Sequence, residues 1–332
     1  MMNNISKSQV CKVSPGTIVS GKWHKKSYKI IKSLGYGATG IVYLAESVNG
    51  YAALKISENS MSITSEVNVL KHFSKVQGSA LGPSLLDVDD WLRPGSPQPV
   101  PFYVMEYIKG ESFLSFIEKR GKEWTGILCL QLLSDLERLH QEGWVFGDLK
   151  PDNLIVTGPT PKIRCIDVGG TTIQGRAIKE FTEFFDRGYW GMGTRKAEPT
   201  YDLFAVAMIM INAALPKRFS KVGKGEEQLR EIIRTNESLR KYEKVLLKAL
   251  SGEYSHASDM RKDLVILLSQ ANTPSQSSRR NSQKKAKSKS PQPSAVRPNQ
   301  PSKKSKGGFV ETVLILIFLT LAYVLYIYGQ LL

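Results

Sequence analysis

The chain has 332 residues, 41% of them apolar, and a formal net charge of +16 at pH 7. That length and composition suffice for one large domain or for two lobes with hydrophobic cores. Its three cysteines, Cys11, Cys129 and Cys165, form no C-x-x-C pair, which argues against a disulfide framework or a zinc site and for reduced thiols in the cytosol. The N-terminal residues have no apolar core, which excludes a secretory signal peptide.

The first predicted elements are short strands in which apolar and polar residues alternate. The runs YKIIKSL, GIVYLAES and YAALKIS are separated by Gly or by Asn49-Gly50, a hairpin signal. An amphipathic helix, SITSEVNVLKHFSKV, and a further strand, PFYVMEYI, follow them. After an N-terminal extension of residues 1–27, the pattern predicts a small, mostly antiparallel sheet with one helix over residues 28–107.

From Glu111 onward the apolar spacing becomes helical. The segments that fit helices are SFLSFIEKR, TGILCLQLLSDLERLHQEG, YDLFAVAMIMINAAL, EEQLREIIR, LRKYEKVLLKALSG and DMRKDLVILLSQ. The prediction is therefore an α+β fold with two lobes, a β-rich one at residues 28–107 and an α-rich one at residues 108–272.

Three glycines, Gly35, Gly37 and Gly40, form a G-x-G-x-x-G pattern inside the first predicted hairpin. In a dinucleotide-binding fold a helix would begin here, whereas this chain continues with the alternation of a strand. The glycines are therefore expected in a flap whose backbone approaches phosphates. On this pattern alone, an ordinary glycine-containing hairpin is an alternative.

Lys55 lies within the apolar strand AALKI, where its ammonium group needs a partner. Glu66, eleven residues later on the predicted helix, can provide the carboxylate, and the pair would hold Lys55 against the phosphates of a nucleotide. A solvated lysine on an edge strand is the alternative. The strand that ends at Glu106 and Tyr107 has a short polar exit that suits the binding of an adenine ring.

The segment FGDLKPDN, residues 146–153, has the residue types that phosphoryl transfer needs. Asp148 would accept the proton of the acceptor hydroxyl, Lys150 would neutralise the transferring phosphoryl group, and Asn153 would bind Mg²⁺. Asp167, between apolar residues and glycines, would be a second metal ligand. Each of these residues alone could be structural, but their order and spacing together are typical of one active site.

With the glycine flap, Lys55 and Glu66, these motifs make residues 28–270 similar to a eukaryotic-like, Hanks-type serine/threonine protein kinase domain. The whole chain, with the C-terminal features described below, resembles membrane kinases of spore-forming bacteria. The resemblance implies the two-lobed kinase fold, ATP with Mg²⁺ or Mn²⁺ as cofactor, and Asp202 as a buried aspartate that supports the catalytic loop. It also implies a nucleotide site formed by Leu34, Gly35, Tyr36, Gly37, Gly40, Val42, Ala53, Lys55, Glu106 and Tyr107.

Gly147 replaces the arginine that binds a phosphorylated activation loop in many members of this family. Without that guanidinium, a phosphate on the loop loses its bidentate partner. Loop phosphorylation is therefore not expected to be the main switch. Alanine at four threonines of the loop together should leave most activity; they are Thr171, Thr172, Thr182 and Thr194.

Two further departures from the family concern packing and peptide docking. Phe146 replaces the loop histidine and Val168 replaces the phenylalanine after the metal-binding aspartate, which resembles a volume-conserving exchange in a core. Ala-Glu-Pro at residues 197–199 stands close to Asp202 in place of the family's earlier Ala-Pro-Glu. The loop that docks the protein substrate is therefore expected to be shortened or rebuilt.

Residues 273–308 are rich in Ser, Pro, Gln and Lys and contain no aromatic residue, which predicts a disordered linker. Its charge allows three interpretations: a solvated spacer that helps to set membrane topology, a surface for anionic lipid, or a sequence-neutral site for nucleic acid phosphates. The predicted polyanion-binding residues are Arg279, Arg280, Lys284, Lys285, Lys287, Lys289, Lys303, Lys304 and Lys306.

Residues 309–330 contain an apolar run long enough to cross a hydrocarbon core of roughly 30 Å. A buried core helix is the alternative. The basic residues lie before this run, which predicts a single-pass anchor in a bacterial cell membrane with residues 1–308 in the cytoplasm.

The sequence therefore predicts a membrane-anchored serine/threonine protein kinase that phosphorylates proteins, itself included. A polyanion such as DNA on the basic linker would activate it from the cytoplasm. Two alternatives are a pseudokinase scaffold that tethers nucleic acid or partners at the membrane, and a kinase of small molecules on the same fold. Measured phosphate transfer distinguishes the scaffold from the enzyme.

Overall fold

The computed structural model describes residues 11–37, 39–73, 81–95 and 98–271. The predicted basic linker and the predicted membrane helix lie outside these ranges. Among the residues that the structure describes, none of the helices combines the length and the hydropathy needed to cross a membrane.

The described part of the smaller lobe is built on one antiparallel sheet of six strands. In chain order these are β1 (Ile18–Ser20), β2 (Ser27–Gly37), β3 (Gly40–Ser47), β4 (Gly50–Ile56), β5 (Leu85–Leu92) and β6 (Pro99–Glu106). Their order across the sheet is β1-β2-β3-β4-β6-β5. β3 and β4 pair down to Ser47 opposite Gly50, so this hairpin closes at the predicted Asn49-Gly50 signal.

Two strands of this sheet were not predicted. β1 precedes residue 28 and pairs with the start of β2. β5 places the carboxylates of Asp87 and Asp89 inside the lobe, with exposed fractions of 6% and 5%. The hydroxyl of Tyr28 donates to Asp87 at 2.6 Å, and the backbone N–H groups of Trp23 and His24 donate to Asp89 at 2.9 and 2.7 Å. These donors stabilise the two buried carboxylates.

Helix α1 (Ser60–Phe73) is the predicted helix of this lobe. Its apolar face is buried, as the sequence periodicity predicts, through Ile63, Val67, Leu70 and Phe73. Glu66 lies three residues after Ile63 and therefore projects from the same face. The helix thus carries a carboxylate into the interior, where it needs a partner.

The larger lobe is mostly helical. Its described helices are α2 (Phe113–Arg120), α3 (Glu123–Gln141), α4 (Arg187–Trp190), α5 (Pro199–Ala214), α6 (Gly225–Thr235), α7 (Glu237–Arg240), α8 (Glu243–Leu250) and α9 (Ala257–Ala271). α5 is buried on all sides from Tyr201 to Asn212, which explains its almost continuous apolar sequence. Its residue Asp202 binds the backbone of the segment 146–153.

Short strands position the loops of the larger lobe. They are β7 (Glu111–Ser112), β8 (Trp144–Val145), β9 (Leu154–Thr157), β10 (Lys162–Cys165) and β11 (Thr172–Ile173). β7, β9 and β10 form one small sheet, and β8 pairs with β11. The segment 146–153 therefore lies between β8 and β9, and Asp167 lies two residues after the end of β10.

The described residues before β2 are packed against the smaller lobe. Cys11 and Val19 are buried in its apolar core. The hydroxyl of Tyr43 donates to the carbonyl oxygen of Cys11 at 2.8 Å and accepts the N–H of Val13 at 2.9 Å. All three cysteines are buried free thiols.

Candidate active site

Lys55 and Glu66 form a buried ion pair with Nζ and Oε2 2.6 Å apart. The hydroxyl of Tyr103 donates to Glu66 Oε2 at 2.8 Å, and Ser62 Oγ donates to Oε1 at 2.9 Å. Burial and the carboxylate of Glu66 raise the pKa of Tyr103, so its hydroxyl remains a donor. Lys55 also donates to Thr39 Oγ1 at 3.0 Å, which brings the ammonium group to the glycine flap.

The flap is the hairpin of β2 and β3. Gly35 pairs with Val42, and Val42 pairs with Lys55 on β4, so the flap residues and the lysine share one patch of sheet. Gly40 has φ +138°, and a Cβ there would lie 2.3 Å from the carbonyl oxygen of Ile56. This position therefore requires glycine for a structural reason.

The other predicted nucleotide residues lie on the same strands. Leu34 and Tyr36 are exposed on β2 and Ala53 is buried on β4. The carboxylate of Glu106, at the end of β6, binds the guanidinium of Arg164 at 2.5 and 2.9 Å. That hydrogen bond holds the pKa of Glu106 below its usual value. The carboxylate of Glu106 thus joins β6 to β10. Its backbone N–H donates to the carbonyl oxygen of Ser84 at 2.8 Å, so neither the carboxylate nor this N–H is free for an adenine ring.

Asp148 and Lys150 lie side by side in the catalytic loop, residues 146–153. Lys150 Nζ donates to Asp148 Oδ2 at 2.5 Å. The side-chain amide of Asn153 donates to the carbonyl oxygen of Asp148 at 3.0 Å, which fixes the orientation of the amide. The loop therefore holds a carboxylate, a cation and an amide oxygen close together.

Asp202 stabilises the catalytic loop through hydrogen bonds to its backbone. It lies in the first turn of α5, is fully buried, and accepts the backbone N–H groups of Phe146 and Gly147 at 2.7 and 2.9 Å. His140 Nε2 lies 2.9 Å from the same carboxylate. The sequence predicted the role of Asp202 but not that of His140, because a single histidine near the end of α3 has no pattern that distinguishes it.

Gly147 is required by the backbone at its position. Its φ is +85°, and a Cβ would lie 2.7 Å from the carbonyl oxygen of Gly170. An arginine here would bear the strain of a positive φ and would push against that backbone. This loop therefore has a backbone conformation that does not suit an arginine at position 147. Gly147 still donates its N–H to Asp202.

Asp167 and Asn153 have the oxygen ligands that Mg²⁺ prefers. Oδ1 of Asp167 accepts the N–H of Gly169 at 2.9 Å, which orients the carboxylate. The amide of Asn153, held through its nitrogen, has its oxygen available as a ligand. The residues present therefore fit a divalent cation bound to nucleotide phosphates, as in protein kinases generally.

Thr182 was not singled out as part of the site, and it contacts both reactive side chains. Its hydroxyl donates to Asp148 Oδ1 at 3.0 Å and accepts a hydrogen bond from Lys150 Nζ at 3.1 Å. No sequence pattern marks it, because the contact joins residues 34 positions apart. The prediction that four threonines can be replaced together must therefore exclude Thr182.

Replacement of Thr182 by Val is expected to lower the rate of phosphate transfer about tenfold, since a hydrogen bond to charged groups is worth roughly 1.5–3 kcal/mol. Binding of Mg-ATP should not change, because the hydroxyl of Thr182 bonds to Asp148 and Lys150, which are not among the predicted nucleotide-binding residues. Steady-state kinetics with a peptide substrate would measure both quantities. Thr182→Ser, which keeps the hydroxyl, is the control; equal loss in both variants would contradict the prediction.

Phe146 and Val168 are both buried in the main hydrophobic cluster, with exposed fractions of 0% and 2%. A Cβ on Gly82 would lie 2.7 Å from the ring of Phe73 and 3.2 Å from Val168 Cγ1. The space around Val168 is therefore narrow. The exchange of volume between Phe146 and Val168 stays a prediction.

Replacement of Val168 by Phe alone should destabilise the domain by about 2 kcal/mol through overpacking, which corresponds to a fall in Tm of about 4–8 °C. Thermal unfolding followed by fluorescence measures this. Val168→Ile, which adds one methylene, should cost clearly less. An unchanged Tm for Val168→Phe would show that the cluster has room for a second ring.

Comparison with known proteins identifies the class. The model of the protein kinase domain family matches residues 28–289, and the chain therefore belongs to the protein kinase family. It is a serine/threonine protein kinase. The predicted two-lobed kinase fold and the predicted enzyme class are confirmed.

Individual relatives refine this assignment. The chain is 52% identical over 335 residues to the serine/threonine-protein kinase YabT of Bacillus subtilis, with 98% of each chain covered. It is 25% identical to the probable serine/threonine-protein kinase YbdM of the same species, over 71% of this chain and 88% of that protein. The PknI kinase domain of Mycobacterium tuberculosis superposes with a TM-score of 0.53 at 15% identity, covering 77% of this chain and 99% of that one, which concerns the fold alone.

Proposed function

We propose that this kinase is an active, membrane-anchored enzyme that transfers the γ-phosphate of ATP to hydroxyl groups of proteins, itself included, with Asp148 as the base. The observation that carries the proposal is the contact between Asp148 and Lys150 in a catalytic loop that Asp202 supports, together with the hydroxyl of Thr182, which reaches both from the activation loop. The intact pair of Lys55 and Glu66 supports it further, because this pair must be in place for transfer.

In the proposed reaction the oxygen of a Ser or Thr side chain attacks the γ-phosphorus, and the bond to the bridging oxygen breaks to leave ADP. Asp148 accepts the proton of the hydroxyl, and Lys150 neutralises charge on the moving phosphoryl group. Lys55 would hold the remaining phosphates. Mg²⁺, held by Asp167 and Asn153, would supply further neutralisation of phosphate charge.

The membrane anchor is proposed from the apolar run of residues 309–330. It is long enough to span a bilayer, and the ten Lys and Arg residues of the preceding 274–308 segment would keep the kinase domain in the cytoplasm. Both features fall outside the described residues, so the proposal rests on the sequence alone.

Activation by a polyanion is proposed for the same basic segment. It contains no Asp or Glu, so it would bind DNA phosphates without reading bases. Several kinases on one polyanion would phosphorylate one another faster because their effective concentration rises. Anionic lipid could act in the same way at the membrane surface.

The test uses the full-length chain in detergent and radiolabelled Mg-ATP. Transfer to the kinase itself and to a generic basic protein would be measured with and without duplex DNA, at low and at raised salt. Asp148→Asn is the blank. A variant with Gln at the nine predicted basic residues of the linker is the matched control for DNA.

Transfer that the blank lacks would support the enzyme, and its absence under every condition would refute it. Stimulation by DNA that fades with salt and is lost in the linker variant would support polyanion activation. Indifference to DNA together with stimulation by phosphatidylserine vesicles would assign the linker to lipid instead.

A further inference from the structure

The stretch between the metal-binding loop and α5, residues 168–198, is called the activation segment below. Its first half runs antiparallel to its last residues. The N–H of Gly175 donates to Ala197 O at 2.9 Å, and the N–H of Ile178 donates to Arg195 O at 2.9 Å. Ala197 returns a bond to Arg176 O at 2.7 Å. The segment is therefore folded back on itself by its own backbone.

The side chain of Arg195 joins three parts of this segment. Its Nε and Nη2 atoms lie 2.8 and 2.6 Å from Oδ2 of Asp186. Its guanidinium carbon lies 4.1 Å from the centre of the Phe181 ring, within the range of a cation–π contact. Phe181 directly precedes Thr182, whose hydroxyl contacts Asp148 and Lys150.

Asp186 is a firm anchor for this arginine. It is fully buried and accepts the N–H groups of Gly188 and Tyr189 at 3.1 and 2.9 Å, which begins α4. The hydroxyl of Tyr201 on α5 donates to its Oδ1 at 2.9 Å. Arg195 is thus tied to the same helix that supports the catalytic loop through Asp202.

From this geometry we infer that Arg195 is a positioning residue for phosphate transfer: it holds Phe181, and through it Thr182, against Asp148 without any phosphate on the activation segment. Gly147 has no guanidinium for such a phosphate, whereas Arg195 supplies one that binds a permanent carboxylate. The inference rests on the proposed role of Asp148 as the base.

Loss of Arg195 should affect the activation segment more than the fold. Asp186 keeps two backbone donors and the hydroxyl of Tyr201, so its carboxylate is not left without partners. Arg195 is itself 45% exposed at its side chain, so its removal opens no internal cavity. Phe181 loses its cation–π contact with the guanidinium, and the hydroxyl of Thr182 is then no longer held against Asp148.

The test compares variants of the full-length chain. Arg195→Ala should lower kcat for a Ser/Thr peptide about 10- to 100-fold, while KM for ATP and the thermal shift produced by Mg-ATP change less than twofold. Arg195→Lys, which keeps the ion pair and loses the planar stack, should lie between. Lys196→Ala, an exposed neighbour paired with Glu198, is the control and should match the unchanged protein.

Added guanidinium ion should partly restore the activity of Arg195→Ala, which a purely structural role would not predict. Transfer within twofold of the unchanged protein would overturn the inference, and so would equal loss of peptide phosphorylation and Mg-ATP binding. If Arg195→Ala does not fold, Phe181→Leu tests the same contact, since it removes the ring and keeps the ion pair. Failure of the unchanged protein to transfer phosphate would refute the proposed function instead.

Discussion

Exchange of Asp148 for Asn is expected to reduce phosphate transfer about a thousandfold, the middle of the range of roughly a hundredfold to ten-thousandfold for loss of a general base. The amide oxygen can still accept a hydrogen bond from Lys150, whose Nζ lies 2.5 Å from Oδ2 of the carboxylate. The amide nitrogen then faces the hydroxyl of Thr182, 3.0 Å from Oδ1, to which it can only donate. The amide cannot take a proton from the acceptor hydroxyl. Incorporation of radiolabelled phosphate into the kinase and a peptide measures the effect.

The matched readout is the thermal shift caused by Mg-ATP, which should be the same for Asp148→Asn and the unchanged protein. The side chain of Asp148 is only 11% exposed, so the nearly isosteric amide is a suitable exchange. If the variant kept more than a tenth of the activity, Asp148 would not be the base, and the roles proposed for its neighbours would need revision.

Replacement of Gly147 by Arg, which restores the residue common in the family, should impair this enzyme. The strain of a positive φ costs about 1–3 kcal/mol, and the contact with Gly170 O adds to it. A loss of about 3 kcal/mol corresponds to a fall in Tm of about 6–12 °C. Phosphate transfer should fall at least tenfold, because Gly147 is adjacent to Asp148.

Gly143 provides a close control for this prediction. Its φ is +80°, nearly that of Gly147, but a Cβ there would meet nothing within 4 Å. Gly143→Ala should therefore report the backbone strain alone, and Gly147→Ala should report the strain and the contact with Gly170 O. Equal thermal unfolding of the two alanine variants would show that the contact relaxes without cost.

Patterns with a regular period predicted the fold well. Alternation predicted β2, β3, β4 and β6, and the helical period predicted α1. β5 was missed because its inward positions are Asp87 and Asp89, which sequence alternation assigns to solvent. Their burial depends on donors from residues 23, 24 and 28, which only the folded sheet brings near.

Within the site, too, some residues could be predicted from sequence, whereas others are placed only by tertiary contacts. Lys55 and Glu66 were paired from sequence because a lysine in an apolar strand needs a partner and the next predicted helix offers a carboxylate; Nζ and Oε2 lie 2.6 Å apart. Thr182 and Arg195 belong to a segment without periodicity, where only tertiary contacts decide which side chain meets Asp148 or Asp186. Glu106 was expected at the nucleotide, and no pattern could indicate that Arg164 would bind its carboxylate.

The packing of Cys11 and Val19 on the smaller lobe has a practical meaning for anyone shortening this protein. A fragment starting at residue 28, where the family match begins, would lose β1 and expose the hydrogen-bonding edge of β2. It would also leave the hydroxyl of Tyr43, a buried residue, without the backbone groups of residues 11 and 13. An open strand edge promotes association between chains, so such a fragment would aggregate although every catalytic residue is present.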